Sequence, residues 1–250
     1  MSASDRNAGA TSALLSVEGL RVAYGKAEVV HGVDLAVHAG EFLVMLGRNG
    51  AGKSTILHAV SGLIPKRGGH VRFDGVDITH ASAREIVRAG LVQVLEGHRV
   101  FGTLSVEDNL LIGTYASAAG AGAAQLERMY SLFPELAERR RLPASRLSGG
   151  QQQILAVAQG VIAGPRLLIL DEPSSGLAPL VVDRILSVAA ELCASGMAVL
   201  LVEQLVEKAL RHAHRCCLLE TGRVVAEGSA AEIRGSEVLE RVYLGSHART

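Results

Sequence analysis

The chain has 250 residues, 48% of them hydrophobic, a length that suits one large domain or one domain with lobes. Charged residues make up 20%, and 25 basic side chains balance 25 acidic ones, so the formal net charge is zero. These values exclude an intrinsically disordered chain and a general basic field, so no nucleic-acid partner is expected. Because only 3% of the residues are aromatic, recognition through stacked aromatic platforms is also disfavoured.

The cysteines and the ends of the chain carry little functional signal. Three cysteines without C-x-x-C spacing disfavour a disulfide framework or a zinc site, and Cys216 and Cys217 are expected on opposite faces of one strand. Residues 1–13 lack the apolar segment of a signal peptide and are interpreted as a disordered tail, with a second tail at 246–250. The apolar runs are shorter than the roughly 18 residues that span a bilayer, so no membrane-spanning segment is expected.

Strand patterns alternate with helix patterns along most of the chain. The predicted strands are 14–17, 21–24, 33–37, 41–46, 70–73, 91–94, 167–170, 198–202, 216–219 and 223–226. The predicted helices are 54–61, 83–89, 105–112, 123–133, 149–163, 179–193, 206–212 and 238–243. Apolar strands in alternation with helices predict an α/β fold with helices on both faces of a parallel sheet.

Two regions break this alternation within a single domain predicted over 14–245. Between the sixth and seventh predicted strands the pattern is helical throughout, which predicts a helical subdomain at about 97–163, inserted into the α/β core. The stretch 14–37 has strand patterns, no helix, and Gly25 and Gly32 at expected turns. It therefore predicts an N-terminal antiparallel β subdomain.

A phosphate-binding motif follows the fourth predicted strand. It is the P-loop (Walker A) pattern G-x-x-x-x-G-K-[ST], formed by Gly47, Arg48, Asn49, Gly50, Ala51, Gly52, Lys53 and Ser54. Its glycines let backbone N–H groups converge on phosphate oxygens. Lys53 would bridge the β- and γ-phosphates, Ser54 would ligate Mg²⁺, and Thr55 would meet the phosphates at the positive helix end. A glycine-rich turn with an accidental lysine is the alternative, which the strand-to-helix position disfavours.

Two carboxylates end the apolar strand that begins near residue 167, as in a Walker B element. Asp171 would hold Mg²⁺, through water, and Glu172 would orient and deprotonate the attacking water. An ordinary strand end with exposed acids is the alternative, and the P-loop in the same chain disfavours it.

A third motif, Leu-Ser-Gly-Gly-Gln at 147–151, opens a predicted helix. Ser148, Gly149 and Gly150 offer a hydroxyl, free amides and a positive helix end to an anion, although a plain helix N-cap has the same pattern. Together with the P-loop and the Walker B carboxylates, this segment resembles the signature of the ATP-binding-cassette (ABC) ATPases. The resemblance implies a RecA-like P-loop NTPase core with the two subdomains described above.

The resemblance assigns further positions. Tyr24 lies at the A-loop, where an aromatic ring stacks on adenine, and a buried strand tyrosine is the alternative. The D-loop, which makes cross-subunit contacts, falls on 174–179. The Q-loop glutamine, a metal ligand by position, is replaced by Glu96, and the switch histidine is replaced by Gln204; Gln93 is out of register and is not assigned the Q-loop role.

These replacements follow a pattern of their own. They resemble the second ATPase subunit of branched-chain amino-acid importers in five segments: 96–101, 175–179, 202–204, 219–223 and 243–245. The sequence departs from that subfamily at Leu95, His98 and Leu205, and importers of urea and other small solutes share much of the pattern. The ATPase activity is therefore more firmly indicated than the solute.

The chain carries one P-loop and one signature, whereas in this family each ATP lies between the P-loop of one subunit and the signature of another. The resemblance implies a head-to-tail ATPase dimer, homomeric or heteromeric, in which the signature (Ser148, Gly149, Gly150 and Gln151) reaches the partner's γ-phosphate. It also implies the cofactors ATP and Mg²⁺, two transmembrane permease subunits, an external solute-binding protein that acts indirectly, and a peripheral place on the cytoplasmic face of the inner membrane. Lys53, Glu172 and Gln204 are the expected catalytic residues.

Two other classes of protein remain as alternatives. A soluble ABC protein of translation or DNA maintenance usually carries two cassettes or a long coiled-coil insertion, and neither fits 250 residues. A non-catalytic nucleotide-binding regulator is disfavoured because Lys53, Asp171 and Glu172 are all present.

Overall fold

The computed structural model describes residues 13–97, 99–116 and 122–244. The tails predicted at 1–13 and 246–250 lie outside these residues, apart from Ala13. The strands are β1 (Leu15–Tyr24), β2 (Ala27–Val37), β3 (Phe42–Leu46), β4 (Gly68–Phe73), β5 (Val76–Asp77), β6 (Leu91–Val94), β7 (Leu167–Asp171), β8 (Ala198–Glu203), β9 (Arg215–Glu220) and β10 (Arg223–Ser229). The helices are α1 (Lys53–Val60), α2 (Ala83–Arg88), α3 (Val106–Gly113), α4 (Ala123–Leu132), α5 (Pro134–Ala137), α6 (Gly149–Ile162), α7 (Pro179–Ala194), α8 (Val206–Leu210), α9 (Ala230–Arg234) and α10 (Glu237–Leu244).

The strands form two sheets. The larger has the order β10-β9-β3-β8-β7-β6, with β10 antiparallel to β9 and the other neighbours parallel. Its central strands β3, β7 and β8 are buried at every residue, as expected for a parallel sheet covered by helices on both faces. The smaller sheet, β2-β1-β4-β5, is antiparallel throughout. The predicted α/β core and N-terminal antiparallel sheet are thus confirmed.

The N-terminal sheet differs from the prediction in three details. It was predicted over 14–37 alone, but β4 and β5 also pair within it. The strands predicted at 14–17 and 21–24 are one strand, β1. Gly19, between the two predicted segments, adopts a φ of 59° at a register shift and so lets the strand continue. Gly32 was predicted at a turn, which is wrong: it lies inside β2 with a φ of 74°, beside another register shift. Glycine takes the positive φ of a β-bulge at no steric cost, so here it bends a strand without ending it.

Helices α3 to α6 lie between β6 and β7. Across the described part of this segment the only strand-like pairing is an isolated bridge between Ser105 and Pro143. Helix α3 packs closely on α6, since a Cβ on Gly113 would lie 2.5 Å from the carbonyl oxygen of Gln159. The Gln159 amide donates to the carbonyl oxygen of Asn109 at 2.9 Å, which fixes the two helices together. Helix α6 therefore connects the helical segment to the sheet, and its N-terminus carries the signature.

Three further findings concern the core. Cys216 lies in the hydrophobic cluster on one face of the large sheet and Cys217 in the cluster on the other face, as predicted from their adjacency on β9. All three cysteines are free and buried. Among the described residues, none of the helices combines the length and the apolar character needed to cross a bilayer.

Candidate active site

The parallel order of β3, β8 and β7 brings three loops to one edge of the large sheet. The P-loop follows β3, the Walker B carboxylates end β7, and Gln204 follows β8. Carboxyl ends of adjacent parallel strands meet at the same edge, where ligands of α/β proteins bind. Residues that are more than a hundred positions apart in the sequence are therefore neighbours here.

The P-loop is held by contacts of its own lysine. Helix α1 begins at Lys53, after Gly52 with a φ of 103° that only glycine adopts readily. Lys53 is 4% exposed, and its Nζ donates to the carbonyl oxygens of Gly47 at 2.8 Å and Arg48 at 3.2 Å. The same Nζ lies 3.2 Å from Oε1 of Glu172. The lysine thus joins the loop to the Walker B strand.

Asp171 is the centre of a buried polar cluster. Ser54 Oγ donates to Asp171 Oδ1 at 2.9 Å, which brings together two of the three residues predicted as metal ligands. Gln93 Nε2 donates to Asp171 Oδ2 at 3.5 Å, and Nε2 of His58 lies 3.7 Å from the same oxygen. Gln93 and His58 were not predicted as site residues. His58 follows Ser54 by one helical turn, and this i, i+4 spacing is the signal that could have identified it.

The electrostatics at Asp171 favour a cation. Burial raises the pKa of this carboxyl above its ordinary value, and the charges of Glu172 and Glu96 raise it further. The Ser54 hydrogen bond and the proximity of His58 act in the opposite direction. Ionisation of such a buried carboxyl is costly when it is alone. It becomes favourable once a divalent cation occupies the same site.

Glu172 and Gln204 are in direct contact. Gln204 Nε2 donates to Oε2 of Glu172. The Glu172 backbone has a φ of 44°, unusual for a residue with a Cβ, and its N–H donates to the carbonyl oxygen of Val202 at 3.0 Å. Strained backbone of this kind persists where the surrounding contacts fix it, and such positions cluster at functional sites.

The signature forms the first turn of α6. Ser148 Oγ accepts from the Gln151 N–H at 3.3 Å, and Gln151 Oε1 accepts from the Ser148 N–H at 3.1 Å, so the pair makes a reciprocal capping box. Ser148 and Gly149 are exposed, whereas a Cβ on Gly150 would meet the side chain of Val181 at 2.9 Å. The N-cap geometry and an exposed helix N-terminus therefore occur together.

The remaining predicted residues occupy the rim of the site. Tyr24 ends β1 and is 52% exposed, so the alternative of a buried strand tyrosine is wrong. Arg48, Asn49 and Gly50 are exposed at the tip of the P-loop, Ala51 is buried, and Thr55 is half-buried in the first turn of α1. Glu96 is exposed after β6, and its carbonyl oxygen accepts from Arg99 Nε at 3.1 Å.

A contact from the far end of the chain completes the P-loop. The hydroxyl of Tyr243, on α10, accepts from the N–H of Gly47 at 2.9 Å. Burial raises the pKa of this tyrosine to about 12, so the hydroxyl stays protonated at neutral pH. The tyrosine belongs to a segment used above for the subfamily resemblance, but its contact with the P-loop was not predicted.

Comparison with known proteins places this geometry in a family. A sequence model described as ABC transporter matches residues 30–175. The chain is 37% identical to the high-affinity branched-chain amino acid transport ATP-binding protein BraG of Pseudomonas aeruginosa, across 93% of this chain and 100% of that protein. It is 31% identical to the lipopolysaccharide export system ATP-binding protein LptB of Escherichia coli K12, across 95% of this chain and 99% of LptB.

A solved ATP-binding cassette of an ABC transporter, in its ADP conformation, matches the fold with a TM-score of 0.83. The match covers 94% of this chain and all of that one at 24% identity, so it supports the fold alone. The family model, by contrast, spans more than half of the chain, and BraG and LptB are related to it over nearly its whole length. The chain therefore belongs to the ABC transporter family, as a transporter's ATP-binding subunit that hydrolyses ATP.

Proposed function

We propose that this ATPase powers an importer of branched-chain, hydrophobic amino acids. The observation that carries the proposal is the 37% identity to BraG over 93% of the chain. It agrees with the five sequence segments that resemble the second ATPase subunit of such importers. LptB, named for lipopolysaccharide export, is less similar at 31% identity, and importers of urea remain the alternative on sequence pattern.

The P-loop residues bind the triphosphate of ATP in this proposal. Lys53 already points back over the loop, so a phosphate can replace the two carbonyl oxygens that now accept from its Nζ. Backbone N–H groups in the first turn of α1 supply further donors at the positive end of this helix. The exposed ring of Tyr24 is available to stack on adenine.

The residues near Asp171 fit Mg²⁺, which prefers oxygen ligands. The Ser54 hydroxyl and the Asp171 carboxylate lie 2.9 Å apart, and Glu96 is close enough to influence the Asp171 pKa. The described residues contain no group of three or more His, Cys, Asp and Glu side chains that could hold a metal alone. In this proposal, oxygens of the ATP phosphates would supply the further ligands. The bound ion would neutralise phosphate charge and lower the cost of attack.

Glu172 is the proposed general base. A carboxylate beside the γ-phosphate can accept the proton of the attacking water, and the contact with Gln204 orients it. The Gln204 amide can donate and accept hydrogen bonds but cannot take up the charge of an imidazolium. We therefore assign Gln204 to sensing of the γ-phosphate through hydrogen bonds of its amide, without any change of charge.

A second ATPase subunit completes each site in this proposal. Ser148, Gly149, Gly150 and Gln151 form a helix end whose first residues are exposed, which suits contact with the γ-phosphate on another subunit. ATP bound between two subunits favours the closed dimer, and its hydrolysis removes that preference. The opening and closing would act on two permease subunits at the cytoplasmic face of the membrane, with an external binding protein delivering the solute.

The test is recovery of the full complex. Tagged Glu172→Gln protein would be isolated from solubilised membranes of its own cells with Mg·ATP present, and the accompanying chains identified by mass. We expect an ATPase subunit and two polytopic permeases. Glu191→Gln, an exposed change on α7, is the matched control and should release the dimer after turnover. Recovery of soluble partners only would contradict the transporter role.

The same complex, prepared with the wild-type protein, then decides the solute. ATPase activity that rises with leucine and the external binding protein supports branched-chain amino-acid import. Activity that rises with urea and not with leucine would contradict the proposed solute while leaving the transport role intact.

A further inference from the structure

A buried carboxylate outside the predicted site lies directly behind it. Glu203 is the last residue of β8 and is 1% exposed. In the described part of the chain no Lys, Arg or His lies within salt-bridge distance of this side chain. Burial raises the pKa of Glu203 above its ordinary value. A buried acid without a cationic partner is costly, so its retention needs another explanation.

The explanation lies in the number of hydrogen bonds that this carboxylate accepts. Its Oε1 accepts from the Ser174 N–H at 3.1 Å. Its Oε2 accepts from the Ser174 hydroxyl at 2.7 Å, the Gln204 N–H at 3.1 Å and the Leu205 N–H at 3.5 Å. A carboxylate offers two acceptor oxygens, whereas a glutamine side chain offers one and adds a donor. Only an acid at this position can satisfy all four donors.

These donors belong to two different loops. Ser174 lies in the loop after β7, two residues beyond Glu172, and Gln204 begins the loop after β8. The Glu203 carboxylate therefore ties the two loops together at their exit from the sheet. The Glu172 and Gln204 side chains meet just beyond this tie, where the Glu172 backbone has its unusual φ of 44°.

We propose that Glu203 is a positioning residue that sets the Gln204–Glu172 pair by holding the loop after β7 against the loop after β8. The proposal rests on the roles assigned above to Glu172 and Gln204. Glu203 touches neither ATP nor water in this scheme. It acts by fixing the direction of the Glu172 carboxylate, and small misplacements of a general base reduce turnover without preventing binding.

The test is a double-mutant cycle in the transporter complex recovered as described above, with Mg·ATP, measuring kcat and the KM for ATP. Glu203→Gln should lower kcat by roughly 10- to 100-fold, as for about 1 Å of misplacement, and change the KM for ATP by less than about twofold. Ser174→Ala, which removes one donor and no acid, should lower kcat by a smaller factor. Glu203→Gln added to Gln204→Ala should lower kcat by less than about twofold more, because the pair is already broken.

Glu41→Gln is the matched control. Glu41 is a second buried acid, placed just before β3 at the opposite edge of the sheet, where it pairs with Arg215. Its substitution should lower the melting temperature and leave kcat unchanged. If Glu203→Gln and Ser174→Ala both leave kcat unchanged, the proposal is overturned. The proposal is also overturned if the kcat losses of Glu203→Gln and Gln204→Ala multiply fully in the double mutant. That result would leave Gln204 with a role of its own. Normal turnover in Gln204→Ala alone would remove both that role and the proposal.

Discussion

The two halves of the nucleotide site are built in opposite ways. Around the P-loop, Lys53 is buried and linked to Glu172, and Ser54 is linked to Asp171, so contacts between the loop after β3 and the end of β7 fix the geometry. At the signature, Ser148 and Gln151 bond to each other, and within the described residues neither side chain hydrogen-bonds outside this first turn of α6. The P-loop half is organised by its own chain. The signature half presents a preformed surface, which in the proposed dimer meets the ATP held by the other subunit.

The largest effect on turnover is expected at Glu172, the proposed general base in the P-loop half. Glu172→Gln keeps the size of the side chain and removes its capacity to accept a proton, so turnover should fall roughly 100- to 10,000-fold with ATP binding retained. Steady-state phosphate release and ATP binding to the same preparation provide the measurement, with Glu191→Gln as control. Unchanged turnover would show that Glu172 is not the general base. The residues of the P-loop half would then be assigned to ATP binding only.

The next largest effect is expected from the lysine that anchors that half. Lys53→Ala removes a buried cation from its partners, a change that typically costs roughly 2–5 kcal/mol, or about 30- to 4,000-fold in ATP affinity. Titration with a fluorescent ATP analogue checks the loss. Lys66→Ala, at a half-buried lysine beyond the far end of α1, should bind normally. ATP affinity that survives the loss of Lys53 would contradict the assignment of the P-loop.

The signature half should respond differently, and the chain offers a matched pair of helix caps. Ser148 caps α6 and Ser82 caps α2, each within a reciprocal capping box. Replacement of either by Ala should cost about 1 kcal/mol of stability. Only Ser148→Ala should also lower turnover, by about tenfold for one lost hydrogen bond to charge, without weakening ATP binding to the single subunit. Equal turnover in the two variants would show that the signature serves only as a cap.

The smallest expected effect is on the pH dependence of stability, and it concerns Glu203, the buried acid behind the P-loop half. The raised pKa of Glu203 means that its folded-state stabilisation is complete below the ordinary value of 4.5 and is lost as the pH rises through the higher value. From pH 4.5 to 8, the wild-type melting temperature should therefore fall relative to that of Glu203→Gln. If the melting temperatures of the two proteins change in parallel across this pH range, the raised pKa of Glu203 is contradicted.

The sequence analysis predicted the parts of the site that are local in the chain. Motif spacing identifies the P-loop, the two Walker B carboxylates and Ser148, because each depends on a strand end or a helix start close by. It could not identify Gln93 or Tyr243, since their partners arrive through sheet pairing and through a helix 196 residues away. The contact between Gln204 and Glu172 also depends on β7 and β8 being neighbours.

Among the elements, short ones were the hardest to predict. Strand β5 has two residues, and helices α5 and α9 have four and five, too few to show a hydrophobic period. The misplaced turn at Gly32 has a different cause. A glycine pattern alone does not distinguish a bulge inside a strand from a turn between two strands.

The bond between Tyr243 and Gly47 also bears on how the protein is made. The two residues are 196 positions apart, and ribosomes add about 5–20 residues each second. The nascent P-loop therefore exists for roughly 10–40 s before the tyrosine that caps its first amide has been synthesised. During that interval the N–H of Gly47 has only solvent or the unfinished chain as a partner. The P-loop with its first N–H bonded to Tyr243, as the structure has it, is therefore complete only after residue 243 has been added to the chain.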